Sequence, residues 1–442
     1  MSRFAARLQD DRPLLFDGGF GTQLFARGVE LPNSALANRS HPEAVVDVHR
    51  AYVTAGSEVI ETNTFVASPL HLEMADAGDA SPEQLAALAT EHARRATEAA
   101  DREIFIAGAL GPSPGAIEAD AGDTDFGIAD AKVRDAHERI ATSLADAGAD
   151  FFLVETMFSA REAAIAVDVA RHFGLPICVS LTYKFTQDRK TKQIQYKTDW
   201  GHGPQDAIDI LASGAHSDGV DLLPSIHMLG LNCGAEASRE DHSGMAYAIE
   251  GTRQTSEALA QRGLDGLRLA AYPNAGLPKM DRQTKETYYL QDPDQMSAEL
   301  PALLATGAWM VGGCCGTTPE HIGAFRAVLD AYGRAPHVPQ IQILYWRQIP
   351  AQVRVFDGRR SLTEQLPDRF QQHIDRIAMR EGLAGTDEYL AQWNWSSKQE
   401  CEGDAQQLLR QTVDQLIADH DPETQEPDAR DTPTLTTESE DV

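Results

Sequence analysis

Three cysteines carry the clearest chemistry in this sequence. Cys314 and Cys315 are adjacent, within Val311-Gly312-Gly313-Cys314-Cys315-Gly316-Thr317-Thr318-Pro319-Glu320-His321. One peptide unit does not provide the Cα separation of ~5.5 Å that a structural disulfide favours, so the pair is not a staple. Two neighbouring thiolates can instead grip one metal ion. Cys233, in Gly230-Leu231-Asn232-Cys233-Gly234, also follows an apolar run and precedes glycine. Three thiolates from two strand ends leave one position of a tetrahedral zinc ion vacant, as in catalytic rather than structural zinc sites. Buried packing is the competing use of a cysteine. It is the expected role of Cys178, inside an apolar run, while Cys401 lies in polar sequence with no cysteine neighbour.

These residues must be brought together by the elements that precede them. Eight apolar, β-rich runs recur at intervals of roughly 30 to 50 residues, separated by alanine-rich stretches of helical period. They are Leu14–Phe16, Glu58–Ile60, Ile104–Ala107, Phe151–Val154, Ile177–Leu181, Met228–Leu231, Leu267–Ala270 and Trp309–Val311. Eight strand-then-helix units in about 330 residues is the count of a (β/α)8 TIM barrel, an α/β fold. A doubly wound open sheet is the rival, weakened by the lack of a Gly-x-Gly-x-x-Gly after the first run. The unusual residues fall just after the runs: Asp17-Gly18-Gly19 after the first, Glu61-Thr62-Asn63-Thr64-Phe65 after the second, Glu155-Thr156 after the fourth. Asn232-Cys233 follows the sixth, Tyr272-Pro273-Asn274-Ala275-Gly276 the seventh and Cys314-Cys315 the eighth. In a closed barrel these ends ring one mouth, where barrel enzymes keep their active sites.

Composition restricts the rest. A chain of 442 residues with 42% hydrophobic residues can bury one large domain and an appendage. The first residues lead into polar sequence and no run approaches the ~18 apolar residues of a membrane span, so a soluble, cytoplasmic protein is expected. Five cysteines without an export signal point to reduced thiols used for metal or catalysis. A formal charge of −29 excludes nucleic acid and anionic membranes as bulk-surface partners, and fits solvation in a saline host as well as any function. The one lysine cluster, Lys184 to Lys197 after the fifth run, is expected to be a solvated loop or a contact for an anionic cofactor or acidic partner.

The barrel is expected to occupy residues 1–335, with a proline-marked linker over Arg334–Pro339. A small α+β domain over 339–397 then begins with strands at Ile341–Trp346 and Gln352–Phe356 and a turn at Asp357-Gly358. Helices are expected over Thr363–Glu381 and Thr386–Trp393, with a further helix within 398–420. The acidic, Pro- and Thr-rich segment 421–442 is expected to be disordered.

The first ~330 residues resemble the zinc-dependent homocysteine S-methyltransferase family. The resemblance rests on Asp17-Gly18-Gly19 with Gly21-Thr22, Glu61–Phe65, Gly230–Cys233 and Gly312–Pro319 in that order, and Tyr272–Pro278 is most similar to the methionine synthase branch. It implies one Zn2+ held by Cys233, Cys314 and Cys315, which takes the sulfur of homocysteine as a fourth ligand and favours loss of its proton. The sulfur then attacks an electrophilic methyl group and methionine results. It further implies that Asp17 and Glu155 accept hydrogen bonds from the substrate ammonium, that main-chain N–H groups of Gly18-Gly19 hold its carboxylate, and that Asn63 and Asn232 orient the sulfur ligands. Helix capping by Asp17 and ion pairing by Glu155 are the structural alternatives.

No Asp-x-His-x-x-Gly cobalamin motif is present. The methyl donor is therefore either a methyl-corrinoid supplied in trans by a separate protein, as in a split methionine synthase, or a free molecule such as S-methylmethionine, S-adenosylmethionine or betaine. A non-catalytic zinc- and thiol-binding partner protein is the reading from another class. The appendage, through Ile343–Val353 and Gly358–Ser361, is similar to a small family named only as virulence factor. Its Arg347, Arg354, Arg359 and Arg360 beside Tyr345 and Trp346 are expected to be either a solvated hairpin or a dock for an acidic, corrinoid-carrying partner.

Overall fold

A computed structural model describes residues 2–420 apart from 123–125, 235–238, 265, 284–286, 333–337 and 358–359. The chain divides into two compact units, Met1–Arg334 and Ala335–Val442.

In the first unit all eight apolar runs are strands of one parallel sheet: β1 (Leu14–Leu15), β2 (Val59–Glu61), β3 (Phe105–Leu110), β4 (Phe151–Met157), β5 (Ile177–Leu181), β6 (Met228–Cys233), β7 (Arg268–Pro273) and β8 (Ala308–Val311). From β2 to β8 each strand pairs with the next in sequence, and β8 pairs with β1, so β1 and β2 are the two ends of the sheet. Strands buried on both faces need continuous apolar sequence, and β3, β4 and β5 are buried at every residue. The seam between β1 and β2 is bridged by Glu58 N–H to Leu15 O, 2.8 Å. One turn further toward the mouth, Glu61 N–H donates to Asp17 Oδ2 at 3.0 Å. A side-chain carboxyl thus takes the place of a backbone acceptor where the barrel closes.

The barrel interior is a packed core of Leu14, Phe16, Phe105, Phe151, Leu153, Met228, Tyr272 and Met310, with Cys178 fully buried among them. Phe4, from the helix Arg3–Arg7, stacks on Phe151 at 4.1 Å and closes the floor. Helices such as Pro42–Ala55, Pro82–Thr97 and Asp130–Asp146 lay their apolar faces on the outside of the sheet.

The lysine cluster differs from the expected loop. Lys184–Gln187 and Ile194–Lys197 pair as an antiparallel hairpin, and Lys184 forms an ion pair with Asp199 at 3.0 Å. The hairpin alternates polar residues with Phe185 and Tyr196, which gives it the period of a strand. A second hairpin, Pro278–Met280 with Thr287–Tyr289, follows β7.

The second unit is a sheet of β9 (Gln340–Trp346), β10 (Ile349–Asp357), β11 (Arg360–Gln365), β12 (Trp393–Trp395) and β13 (Gln399–Glu400), covered on one face by helices. Two expected helices are shorter than expected. Residues 360–365 pair with β10 as β11, and the helix begins only at Asp368, after Pro367. A proline forces the residue before it toward extended backbone, which explains the late start. The second helix is only Asp387–Leu390, because Trp393–Trp395 pair with β9 instead. Ala405–His420 is helical and belongs to the same core: Leu409, Val413 and Leu416 pack with Val353, Val355 and Phe370. Gly358 of the expected turn, Arg359, most of the linker and the tail 421–442 lie outside the described residues.

Candidate metal centre and amino-acid site

The sulfurs of Cys233, Cys314 and Cys315 lie within 4.8 Å of one another, and those of Cys314 and Cys315 are 3.9 Å apart. Ligand sulfurs ~2.3 Å from a tetrahedral ion sit about 3.8 Å from each other, so the cluster fits one zinc-sized ion with little movement. The donor set is all thiol, which suits zinc among common divalent ions.

Local backbone conformation aims these sulfurs. Cys233 has φ +59°, in the left-handed region that costs a non-glycine residue of order 1–3 kcal/mol. Thr156, at the neighbouring end of β4, shares it with φ +55°. The Asn232 amide ties the two together: its Oδ1 accepts from Thr156 N–H (3.1 Å) and Ser180 O–H (2.6 Å), and its Nδ2 donates to Thr156 Oγ1 (2.6 Å). Asn232 therefore acts on the strand end that presents Cys233. Asn274, on the other side, donates its N–H to Cys233 O, while Ala275 N–H donates to Cys315 O. Both side-chain amide atoms of Asn274 are buried without a hydrogen-bond partner. An orphaned buried amide between the two ligand-bearing loops leaves an oxygen donor for a group bound there.

The thiol-pair loop is stitched to the first loop. Gly313 N–H donates to Asp17 O at 2.9 Å, and Gly19 N–H donates to Thr317 Oγ1 at 3.0 Å. A Cβ on Gly19 would sit 2.6 Å from Cys314 O, so only glycine permits this approach. Since the Gly19 N–H is already engaged with Thr317, the expectation that both glycines offer N–H groups to a substrate carboxylate narrows to Gly18.

Opposite the sulfurs lie three carboxyls. Asp17 and Glu155 are buried, and Glu61 joins them: its N–H bonds Asp17, and its carboxyl is hydrogen-bonded to Glu155. Asp17 Oδ1 is buried without a partner. Asp17 is not a helix cap, since the following helix begins after Gly19. Burial, then the Glu61 charge, holds Asp17 well above the usual carboxylate range; burial, then Glu61, does the same to Glu155, with Cys233 adding to it. Burial lifts Glu61 to about 7 against the opposing Glu155 hydrogen bond. The thiols show the same frustration. Hydrogen bonding with Cys233, then with Cys315, and burial push Cys314 up, and Cys315 is pushed up to about 12, first by Cys233. Six acids in one mouth resist ionising together unless cations join them.

Asn63 lies apart from this network. Its Nδ2 donates to Ser34 O (2.9 Å) and Asn38 Oδ1 (3.2 Å), and Asn38 returns a bond to Asn63 O (2.8 Å). The expected role of orienting a sulfur ligand gives way to bracing the loop after β2, because the amide is turned into the 34–38 segment. Reading residue types alone singled out neither Glu61 as a site residue nor Asn274. Glu61 stands directly after the second apolar run and Asn274 directly after β7, the position that marks the rest of the site.

A barrel that gathers three thiols and three carboxyls at one mouth has the layout of an enzyme able to hold a thiophilic metal ion. The chain matches the homocysteine S-methyltransferase family over residues 14–329 and belongs to it, a family of methyltransferases; residues 344–425 match the virulence factor family. It is 30% identical over 356 residues to the methionine synthase of Mycobacterium tuberculosis, with 76% of this chain and 26% of that protein aligned. It is 28% identical over 326 residues to the homocysteine S-methyltransferase of Escherichia coli, covering 71% of this chain and 94% of that protein. The chain thus spans about a quarter of the length of the methionine synthase it matches. The metallated crystal structure of the Escherichia coli homocysteine methyltransferase MmuM superposes with a TM-score of 0.52 at 26% identity, covering 73% of this chain and 98% of that one. No helix among the described residues is long and apolar enough to cross a membrane.

Proposed function

We propose that this protein transfers a methyl group to the sulfur of homocysteine, forming methionine, with one zinc ion held by Cys233, Cys314 and Cys315. The observation that carries this reading is the placement of three sulfurs within 4.8 Å of one another, at the mouth that also holds the buried carboxyls of Asp17 and Glu155 and the half-buried one of Glu61. Zinc, when bound, lowers the proton affinity of a thiol that joins it, which matters because a free thiol of pKa ~8.5 is mostly protonated at neutral pH.

The chain's own groups do the rest. Asp17 and Glu155 accept hydrogen bonds from the substrate ammonium, and Glu61 supports both. That ammonium supplies the cation the three carboxyls lack. The Gly18 N–H faces the substrate carboxylate, and Asn232 fixes the strand end that presents Cys233. As the S–CH3 bond forms, the bond between methyl and donor breaks with its electron pair left on the donor, and the thiol proton passes to solvent.

For the donor we favour a methyl-corrinoid presented by a separate protein, with the second unit as its dock. The Tyr272–Pro278 stretch and the alignment with about a quarter of a methionine synthase support this. A free donor is the second reading, supported by the alignment along 94% of the Escherichia coli homocysteine S-methyltransferase. Zinc-loaded protein given homocysteine and, in turn, methylcobalamin, S-methylmethionine, S-adenosylmethionine, betaine and methyltetrahydrofolate separates them. Methionine from methylcobalamin alone supports the corrinoid reading, and methionine from a small onium donor replaces it. No methionine from any donor leaves the non-catalytic binding role.

A further inference from the structure

The hairpin after β7 reaches the sulfurs. Its second strand ends at Tyr289, opposite Pro278, and the Tyr289 ring lies against Gly316, the residue that follows the cysteine pair. A Cβ built on Gly316, which has φ +82°, would stand 2.2 Å from the ring. The ring therefore lies beside Cys315, and burial, then the neighbouring thiols of Cys315, Cys314 and Cys233, raise the pKa of its hydroxyl.

The hairpin is held in place from several sides. Gln291 N–H donates to Ala275 O, and Ala275 N–H in turn donates to Cys315 O. Gln291 Oε1 accepts from Met245 N–H at 3.0 Å, Gln291 O is 3.1 Å from His321 Nε2, and Lys279 pairs with Glu240 at 2.8 Å. Such anchoring fixes an otherwise exposed two-stranded hairpin over the thiol cluster.

We propose that Tyr289 is a positioning residue of the thiol centre: its hydroxyl donates to the Cys315 sulfur, while its ring packs on Gly316 and closes this side of the mouth to water. The inference rests on the reading that the three thiols hold a zinc ion. Three thiolates around Zn2+ leave a net charge of −1, and a substrate thiolate makes it −2, in a pocket that already contains three acids. A hydroxyl hydrogen bond to one ligand sulfur spreads that charge and fixes the ligand's orientation. Gly316 is required because any side chain there would displace the ring.

The test uses the full-length protein, as wild type, Tyr289→Phe and Gly316→Ala. Cobalt(II) is titrated in and the thiolate-to-cobalt charge-transfer band recorded, and zinc affinity is measured by competition with a chromophoric chelator. Tyr289→Phe keeps the ring and removes only the hydroxyl, so a purely packing role predicts no change in either quantity. The proposal expects a shifted charge-transfer band and a loss of zinc affinity of roughly 10-fold or more. Gly316→Ala, which keeps the hydroxyl but moves it, is expected to shift the band in the same direction. A Tyr289→Phe protein with the wild-type band and a zinc affinity within about twofold of wild type overturns the proposal while leaving the zinc reading intact. Wild-type protein that binds neither metal at one equivalent overturns the zinc reading itself.

Discussion

Across the barrel mouth, the ends of β6 and β8 carry three sulfurs, and the ends of β1, β2 and β4 carry three carboxyls. Both groups are acids crowded beyond what burial tolerates, and each adds to the other's burden: Cys233 helps push Glu155 up, and Glu61 helps push Cys315 up. Their remedies differ. Soft sulfur donors at tetrahedral spacing call for a metal ion, whereas hard carboxyl oxygens call for hydrogen-bonding ammonium. A small molecule with a thiol at one end and an ammonium at the other satisfies both sides at once. On the proposed function, the mouth measures a substrate by its two ends.

Removing a sulfur should have the largest effect. Cys314→Ala is expected to abolish one-to-one zinc binding and, because the metal contributes several kcal/mol, to lower methyl transfer on the order of 10³-fold or more. Zinc content by mass spectrometry beside turnover checks it; a variant that keeps its zinc would break the assignment of the sulfur side.

Next comes the carboxyl side. Glu155→Gln should leave zinc content unchanged but remove a charged hydrogen bond worth about 1.5–3 kcal/mol, raising KM for homocysteine by roughly 10- to 100-fold. A thiol without the amino group should bind wild type and variant equally well. If Glu155→Gln instead lost its metal, the two sides would not be separable.

Glu61 sharpens the comparison through pH. Its folded value, about 7, lies above the ordinary 4.5, because burial disfavours its charge. The stability linked to this proton is fully present below about pH 4.5 and is lost as pH rises through about 7. Asp17 and Glu155, also raised, contribute with the same sign. Metal- and substrate-free protein should therefore melt at lower temperature at pH 8 than at pH 5, and Glu61→Gln should flatten that slope. Calorimetry across this range checks it.

The smallest effect is expected at Asn63. Asn63→Ala loses bonds to Ser34 and Asn38 and should cost about 1 kcal/mol of stability, with zinc affinity and KM near wild type. A large change in either would return Asn63 to the thiol side.

Strand order, the position of each site residue and the composition of the thiol cluster were legible in the chain because parallel barrel strands are buried on both faces. Each must be a continuous apolar run, and whatever follows it must stand at the mouth. That rule put Cys233, Cys314, Cys315, Asp17 and Glu155 at the mouth, while the roles proposed for Asp17 and Glu155 come from the family resemblance. The second unit was less legible. Residues 360–365 have no local pattern that prefers strand to helix, and their pairing with β10 decided it. Hydrogen-bond direction is likewise invisible in a string of residues. The spent N–H of Gly19, the Asn63 amide turned toward Ser34 and the Tyr289 ring against Gly316 each depend on partners far away in sequence. Residue type and spacing thus determined which chemistry this protein holds, because burial imposes a local pattern. Only tertiary structure decided which groups do it, because charge and hydrogen bonding are settled by neighbours that the fold alone brings together.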